Sequence, residues 1–262
     1  MSLNHAALAH ELHRARKDRR EVEALTDRGE VPLHDAYAVQ EQGIRLREAD
    51  GETVIGGKLG FTSEAMRTAM GVEQPNYGWL TDEMLLTDGV VALDAFIHPK
   101  VEPEITFLLD RDLGPDANAD DVLEATAGVT ASLEVVDSRF LDFVFRAQDN
   151  IADDSSAAAF VLGGTLVKAP TTNLAHVGVV MTVDGEVFAT AAGAAVMPDP
   201  ASAVAWMARA VHAAGVRGLR RGDLVLSGGL TAPVTLRPGM TVTVEIDRIG
   251  SASLRVLGSE VT

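Results

Sequence analysis

From about residue 52 onward the chain becomes a succession of short β-rich runs broken by Gly, Pro and Asp, and this alternation restricts its fold more than any other feature. The runs are TVIGGKLGF, GVVAL, EITFLL, ASLEVVDS, VGVVMTVDGEVFAT, DLVLSGG and TVTVEI. Asp184-Gly185, between VVMTV and EVFAT, is the strongest hairpin signal, because both residues tolerate the left-handed backbone of a two-residue turn. Two helical patterns interrupt the strands. One covers 119–126. The other follows Asp199-Pro200, where Asp can cap and Pro fits the first turn, and runs to about 214 with Val204, Met207, Ala208 and Val211 at helical spacing. With so few crossover helices a doubly wound parallel sheet is disfavoured, and the expected class is α+β, a mixed β-roll or barrel.

Ahead of this region, 2–17 reads as an amphipathic helix with Leu3, Ala7, Leu8 and Leu12 near one face and Ser2 as cap, and a second helix fits 34–48 after Pro32. The expectation is one domain over 1–262, made of a helical N-terminal cap (1–50) and a β-rich catalytic core (51–262). No internal repeat or linker divides it. Hydrophobic residues at 47% and charged residues at 23% suffice for an ordinary packed core.

Several function classes fall away. No cysteine is present, which removes thiolate nucleophiles, zinc-thiolate sites and iron–sulfur clusters together. Twenty-two Lys and Arg against 38 Asp and Glu give a formal charge of -16, which repels phosphate backbones and anionic lipid, so no nucleic acid or membrane partner is expected. The N-terminal stretch lacks the apolar run of a signal peptide, and a cytoplasmic location is the expectation. Gly56, Gly57 and Gly60 open no long helix in a G-x-G-x-x-G pattern, which argues against a dinucleotide. The seven histidines show no ligand spacing, and His5, His10 and His13 fall on the first helix as structural or solvated residues.

The chemistry is carried by acids. In HPKVEPEITFLL, Glu102 and Glu104 lie two apart in a strand and share one face, while Ile105, Phe107 and Leu109 point to the core. Solvated strand faces account for most bare E-x-E pairs. Glu134 is harder to read that way, since in ASLEVVDSRF it is embedded among Leu133, Val135 and Val136. Three such carboxylates with open positions for water suit Mg²⁺ or Mn²⁺. Lys58, between glycines and an apolar stretch, reads as a partly enclosed ammonium or as a surface lysine laid along apolar neighbours. Ser227-Gly228-Gly229 reads equally as a turn or as an anion-binding nest.

Taken together, GGKLGFTSEAMRTAMGVEQPNYGWLTDEM, HPKVEPEITFLL, LEVVDSRF, the run around Ala152-Asp153, AAGAAVMPDPASAVAWMA and GSASLRV resemble the fumarylacetoacetate hydrolase superfamily, in its branch of 2-hydroxypentadienoate hydratases and 4-oxalocrotonate decarboxylases. The resemblance implies Mg²⁺ or Mn²⁺ on Glu102, Glu104 and Glu134, chelating the 1-carboxylate and 2-oxo group of a small 2-oxo acid. It places Lys58 beside the substrate, gives Arg139 of the V-D-S-R string a supporting electrostatic role, and implies a mixed β-roll that assembles into homo-oligomers. A complex with a related hydratase is a further expectation, since the two enzymes are similar enough to assemble together.

Within the branch, hydratases usually carry an acid in Pro-Asp-Tyr/Phe-Gly, which here reads Pro75-Asn76-Tyr77-Gly78, and Asn76 cannot act as a carboxylate base. The string Ser227, Gly228, Gly229, Leu230, Thr231 resembles the substrate loop of decarboxylases. Both favour loss of CO₂ from a 2-oxo-3-enedioate over hydration of a 2-hydroxydienoate. A C–C hydrolase acting on an acylpyruvate would need a His–Glu dyad, for which His34 is the nearest histidine. A non-catalytic partner subunit would have little reason to keep Lys58 and all three acids. The usual Ala-Asp-Asn string reads Ala152-Asp153-Asp154, and an extra acid beside the pocket would alter the substrate charge preferred.

Overall fold

The computed structural model describes residues 3–168 and 173–258. Its strands are β1 (Val54–Gly60), β2 (Asn76–Thr81), β3 (Val90–Val91), β4 (Lys100–Leu109), β5 (Thr126–Val136), β6 (Ala157–Leu162), β7 (Gly178–Val183), β8 (Glu186–Ala192), β9 (Leu224–Leu226), β10 (Val234–Thr235), β11 (Thr241–Ile246) and β12 (Gly250–Val256). The helices are α1 (His5–Asp18), α2 (Leu33–Ala49), α3 (Glu64–Met70), α4 (Ala119–Glu124), α5 (Ala147–Ala152) and α6 (Pro200–Ala213).

Two mixed sheets form the core. The first runs β2-β1-β9-β4-β5-β6 with β10 also on β4, and the second runs β3-β12-β11-β7-β8. Most neighbours are antiparallel; β1 with β9 and β12 with β3 are parallel. Strands β11 and β12 lie against β5, so Val129, Ala131 and Leu133 from one sheet and Val242, Val244 and Leu254 from the other share one buried cluster. This is the mixed roll that the strand count anticipates. The Asp184-Gly185 turn joins β7 to β8 with φ of 51° and 86°, the left-handed values a tight hairpin needs.

Helix α6 is capped by Asp199, whose Oδ1 accepts from the Ala201 and Ser202 N–H groups, and its Met207 packs so closely on Gly57 of β1 that any side chain there would displace it. Asn4 caps α1 by accepting from the Ala7 N–H; Ser2 lies outside the described residues. The buried stripe of α1 is Ala9, Leu12 and Ala15 rather than one through Ala7, which is exposed. His5 and His13 are not merely solvated: they bond Asp35 and Asp50 and tie α1 to α2 and its C-terminal cap. A separate apolar cluster joins α1 and α2 to Phe140 and α5. From α2, the Gln40 amide donates to the carbonyls of Tyr77 and Ile151, fastening the cap to β2 and α5.

Candidate metal centre and cavity

The acids are positioned by backbone pairing. Strands β4 and β5 are antiparallel with Glu102 directly opposite Glu134 and Glu104 opposite Ser132, so three carboxylates converge on one face. One oxygen from each lies within 4.8 Å of the others. The sheet opens here because β9 and β10 both pair with β4 while the chain between them, 227–233, arches away, held by Ser227 N–H to Ile105 O and Leu230 N–H to Pro103 O. The arch serves the acids. The Gly228 N–H donates to Glu104 Oε2 at 2.6 Å, and Gly229 lies so near Glu102 Oε2 that a Cβ would displace it.

Glu104 and Glu134 are both 0% exposed. Oε1 of Glu104 and Oε1 of Glu134 have no partner, and Oε2 of Glu134 has only the Lys58 ammonium at 3.2 Å, an arrangement that buried carboxylates avoid unless a further cation completes it. Burial, then the charge of Glu134, pushes Glu102 up to about 7, and the same causes with Glu102 added push Glu104 well above the usual carboxylate range. A hard dication is the natural partner for such an all-oxygen set, and Glu102, Glu104 and Glu134 fit Mg²⁺ or Mn²⁺.

Lys58 is 2% exposed, so the surface reading of this residue is replaced by full burial. In β1 it stands opposite Gly78 and beside Leu226 of β9, and its ammonium reaches Glu134 Oε2 at 3.2 Å and donates to the Ser155 carbonyl at 3.0 Å. Burial alone would lower its pKa, but Glu134, Glu102 and Glu104 together outweigh that and raise it, so it stays charged.

A cavity of about 480 Å³ opens above this group. Its polar end holds Lys58, Glu102, Asn150, Ser155 and Thr231; its apolar wall includes Phe61, Met66, Met70, Phe143, Phe145 and Leu230. Among the described lining residues Glu102 is the sole carboxylate, and no histidine is present. Asn76 sits one layer back, donating to Asn150 Oδ1 and accepting from the Ser155 hydroxyl, so it steadies the residue that holds Lys58. Ser227 is buried with its hydroxyl unpartnered, and Gly229 and Thr231 line the wall.

The structure sets Arg139 apart from the other predicted residues. Its guanidinium is bound by Asp153 through a side-chain ion pair and donates to the Asp153 carbonyl, and it does not line the cavity. Asp154 is likewise turned away: its Oδ1 accepts from the Trp79 N–H, while burial pushes its pKa up to about 7. His34 is exposed beside Asp35, remote from any dyad. Ser155 and Phe143 went unnoticed in the sequence. Ser155 contributes a backbone carbonyl from a run of left-handed residues, Asp154, Ser155 and Ser156 (φ 52–58°), and composition carries no sign of that.

Comparison with known proteins agrees with this architecture. The model of the fumarylacetoacetate hydrolase C-terminal family matches residues 60–257. A 4-oxalocrotonate decarboxylase of Pseudomonas sp. (strain CF600) is 39% identical over 254 residues, covering 96% of each chain. A 2-hydroxyhexa-2,4-dienoate hydratase of Comamonas testosteroni is 38% identical over 249 residues, covering 93% of this chain and 94% of the hydratase. The solved 4-oxalocrotonate decarboxylase of Pseudomonas putida G7, complexed with magnesium and adipate, superposes with a TM-score of 0.93 at 37% identity, covering 98% of this chain and 99% of that one.

Proposed function

The chain belongs to the fumarylacetoacetate hydrolase family, and from that premise we propose that it is a divalent-metal-dependent lyase removing CO₂ from a 2-oxo-3-enedioate of the 4-oxalocrotonate type to leave a 2-hydroxydienoate. The observation that carries this reading is the buried carboxylate cluster with unpartnered oxygens, set beside a buried lysine at the floor of a cavity. Glu102, Glu104 and Glu134 would hold Mg²⁺ or Mn²⁺, which when bound supplies Lewis-acid polarisation of a 2-oxo group.

The chain's own residues do the rest. Three carboxylates and a dication leave the floor at about -1, so an anionic substrate needs the ammonium of Lys58, which the Ser155 carbonyl and Glu134 hold in place. As CO₂ departs, its electron pair passes through the conjugated double bond to the 2-oxygen, where Lys58 offsets the charge that develops. No external base is required, and among the described lining residues Glu102 is the one carboxylate. The apolar wall offers few groups to position a water beside the dienol, which suits release of that product rather than addition of water.

Hydration of a 2-hydroxydienoate is the second reading, favoured by the hydratase relative at a similar identity. It needs a group to handle water, and Asn76 offers an amide in a buried hydrogen-bonded pair. A C–C hydrolase is favoured less, since no histidine is among the described lining residues. Assembly into homo-oligomers is supported by Val187 and Phe188, 64% and 46% exposed on β8 at the free edge of its sheet, and a mixed complex with a related hydratase would use the same kind of surface. No described helix is long and apolar enough to cross a membrane; with the charge of -16 this supports a cytoplasmic enzyme.

The test is one purified preparation with Mg²⁺, given 2-oxohex-3-enedioate and, separately, 2-hydroxypenta-2,4-dienoate. The expected outcome is CO₂ release with appearance of dienol absorbance from the first and little water addition to the second. Hydration without CO₂ release would assign the hydratase reaction, and full activity under chelation would end the metal reading.

A further inference from the structure

Lys100 is the first residue of β4 and, in the alternation of a strand, shares a face with Glu102 and Glu104. The row therefore reads cation, acid, acid, with positions two apart separated by roughly 6.6 Å. Its cross-strand neighbour on β5 is Val136, which lines the cavity, and its neighbour on β10 is Thr235, just past the lining residues Ala232 and Pro233. Lys100 thus has cavity wall beside it on β5 and stands immediately behind the lining, next to it but not part of it.

Among the described residues no carboxylate lies within ion-pair reach of its ammonium. The group instead sits 3.7 Å from the centroid of the Phe143 ring, and Phe143 itself faces the cavity. A half-buried ammonium held only by an aromatic face is a cation whose anionic partner is missing, because a ring offers far less than a carboxylate does. Phe143 and the preceding Asp142 both adopt left-handed backbone (φ 61° and 55°), and in this conformation the ring stands between lysine and cavity.

We propose that Lys100 is the specificity-determining residue for the far end of the substrate, pairing with the distal carboxylate of a six-carbon 2-oxo diacid once the Phe143 ring turns aside. This rests on the metal-floor reading above and deepens it by naming the residue that selects a dicarboxylate over a monocarboxylate. An extended six-carbon chain spans roughly 6 Å between its terminal carbons at ~1.5 Å per bond, comparable with the roughly 6.6 Å of backbone between the positions of Glu102 and Lys100. The second carboxylate of such a chain would otherwise end against Phe143, Phe145 and Val136, since among the described lining residues the one cation is Lys58 at the floor, and Lys100 stands behind Phe143. Because the carboxylate that leaves as CO₂ must give up this pair, the contact helps capture and not the chemical step, so its loss appears in KM.

The experiment compares binding of 2-oxohexanedioate and 2-oxopentanoate, neither able to lose CO₂ through conjugation, to the Mg²⁺-loaded wild type, Lys100→Met and Lys100→Arg by calorimetry. Wild type should favour the diacid by about tenfold, between the worth of a rim pair and a buried one; Lys100→Met should abolish that preference and leave the monoacid unchanged; Lys100→Arg should retain part of it. In turnover, Lys100→Met should raise KM for the diacid about tenfold with no fall in kcat. A preference that survives in Lys100→Met overturns the proposal. If wild type binds neither 2-oxo acid with Mg²⁺ present, it is the metal-floor reading that fails.

Discussion

Lys58 and Glu134 depend on each other at a buried site. Removing the ammonium leaves Glu134 without its counterion, so Lys58→Met should cost about 3 kcal/mol of stability in metal-free protein, and Mg²⁺ should restore much of it. Thermal melting with and without the metal checks this, and turnover should fall roughly 10²–10³-fold even when the metal is saturating. Glu104→Gln removes a ligand directly, and its affinity for Mg²⁺ by calorimetry should drop roughly 100-fold or more. That Glu102, Glu104 and Glu134 form an unusual acidic group was readable from sequence for a definite reason: E-x-E on a strand face and an acid inside a hydrophobic run are patterns that burial makes costly, whereas Lys58 alone read as readily as a surface lysine. Ser155, Asn150 and Phe143 had no such signal, since one acts through its carbonyl and the others through packing that depends on the whole fold. Arg139 looked suited to substrate because of its neighbours in sequence, yet Asp153 occupies it.

At the level of elements, the alternating strands and the Asp184-Gly185 hairpin were legible, as was α6 from its Asp-Pro start. Strands β2 and β6 were not, because both are covered on both faces and lose the period-2 pattern; β2 is buried at every position. Helices α3 and α5, of seven and six residues, are too short to show periodicity. The turn after α5 carries a pH effect of definite sign. Asp154 has a folded pKa of about 7 against an ordinary 3.8, so the folded chain holds the extra proton between them and loses stability as pH rises through 7, by at most ~1.4 kcal/mol per pH unit. Asp154→Asn keeps an oxygen for the Trp79 N–H and removes the charge. Its melting temperature should exceed that of wild type by a margin that widens from about pH 5 to about pH 8. In the arch between β9 and β10, Gly229→Ala should preserve the fold by circular dichroism while displacing Glu102 and weakening Mg²⁺ binding.

For the whole molecule, the charge of -16 sets the long-range field. It opposes the approach of a dianion, so kcat/KM for a diacid should rise with ionic strength from about 10 to 150 mM while kcat stays level, which a salt series in steady-state kinetics would measure. Metal binds only the folded floor, so Mg²⁺ at a hundred times its dissociation constant should add about 2.7 kcal/mol to unfolding, and a chelator should remove it. The overall class was predictable from strand count; the closing of two sheets over β5 was not, because nothing local records which strands meet.

The floor and walls of the cavity come from different kinds of structure. Glu102, Glu104, Glu134 and Lys58 stand on strands locked by register, whereas Phe61, Phe143, Phe145 and Leu230 stand on connecting segments outside the strands. Substitutions in the upholstery can therefore reshape the space offered to a ligand without disturbing the chassis that aims the charges.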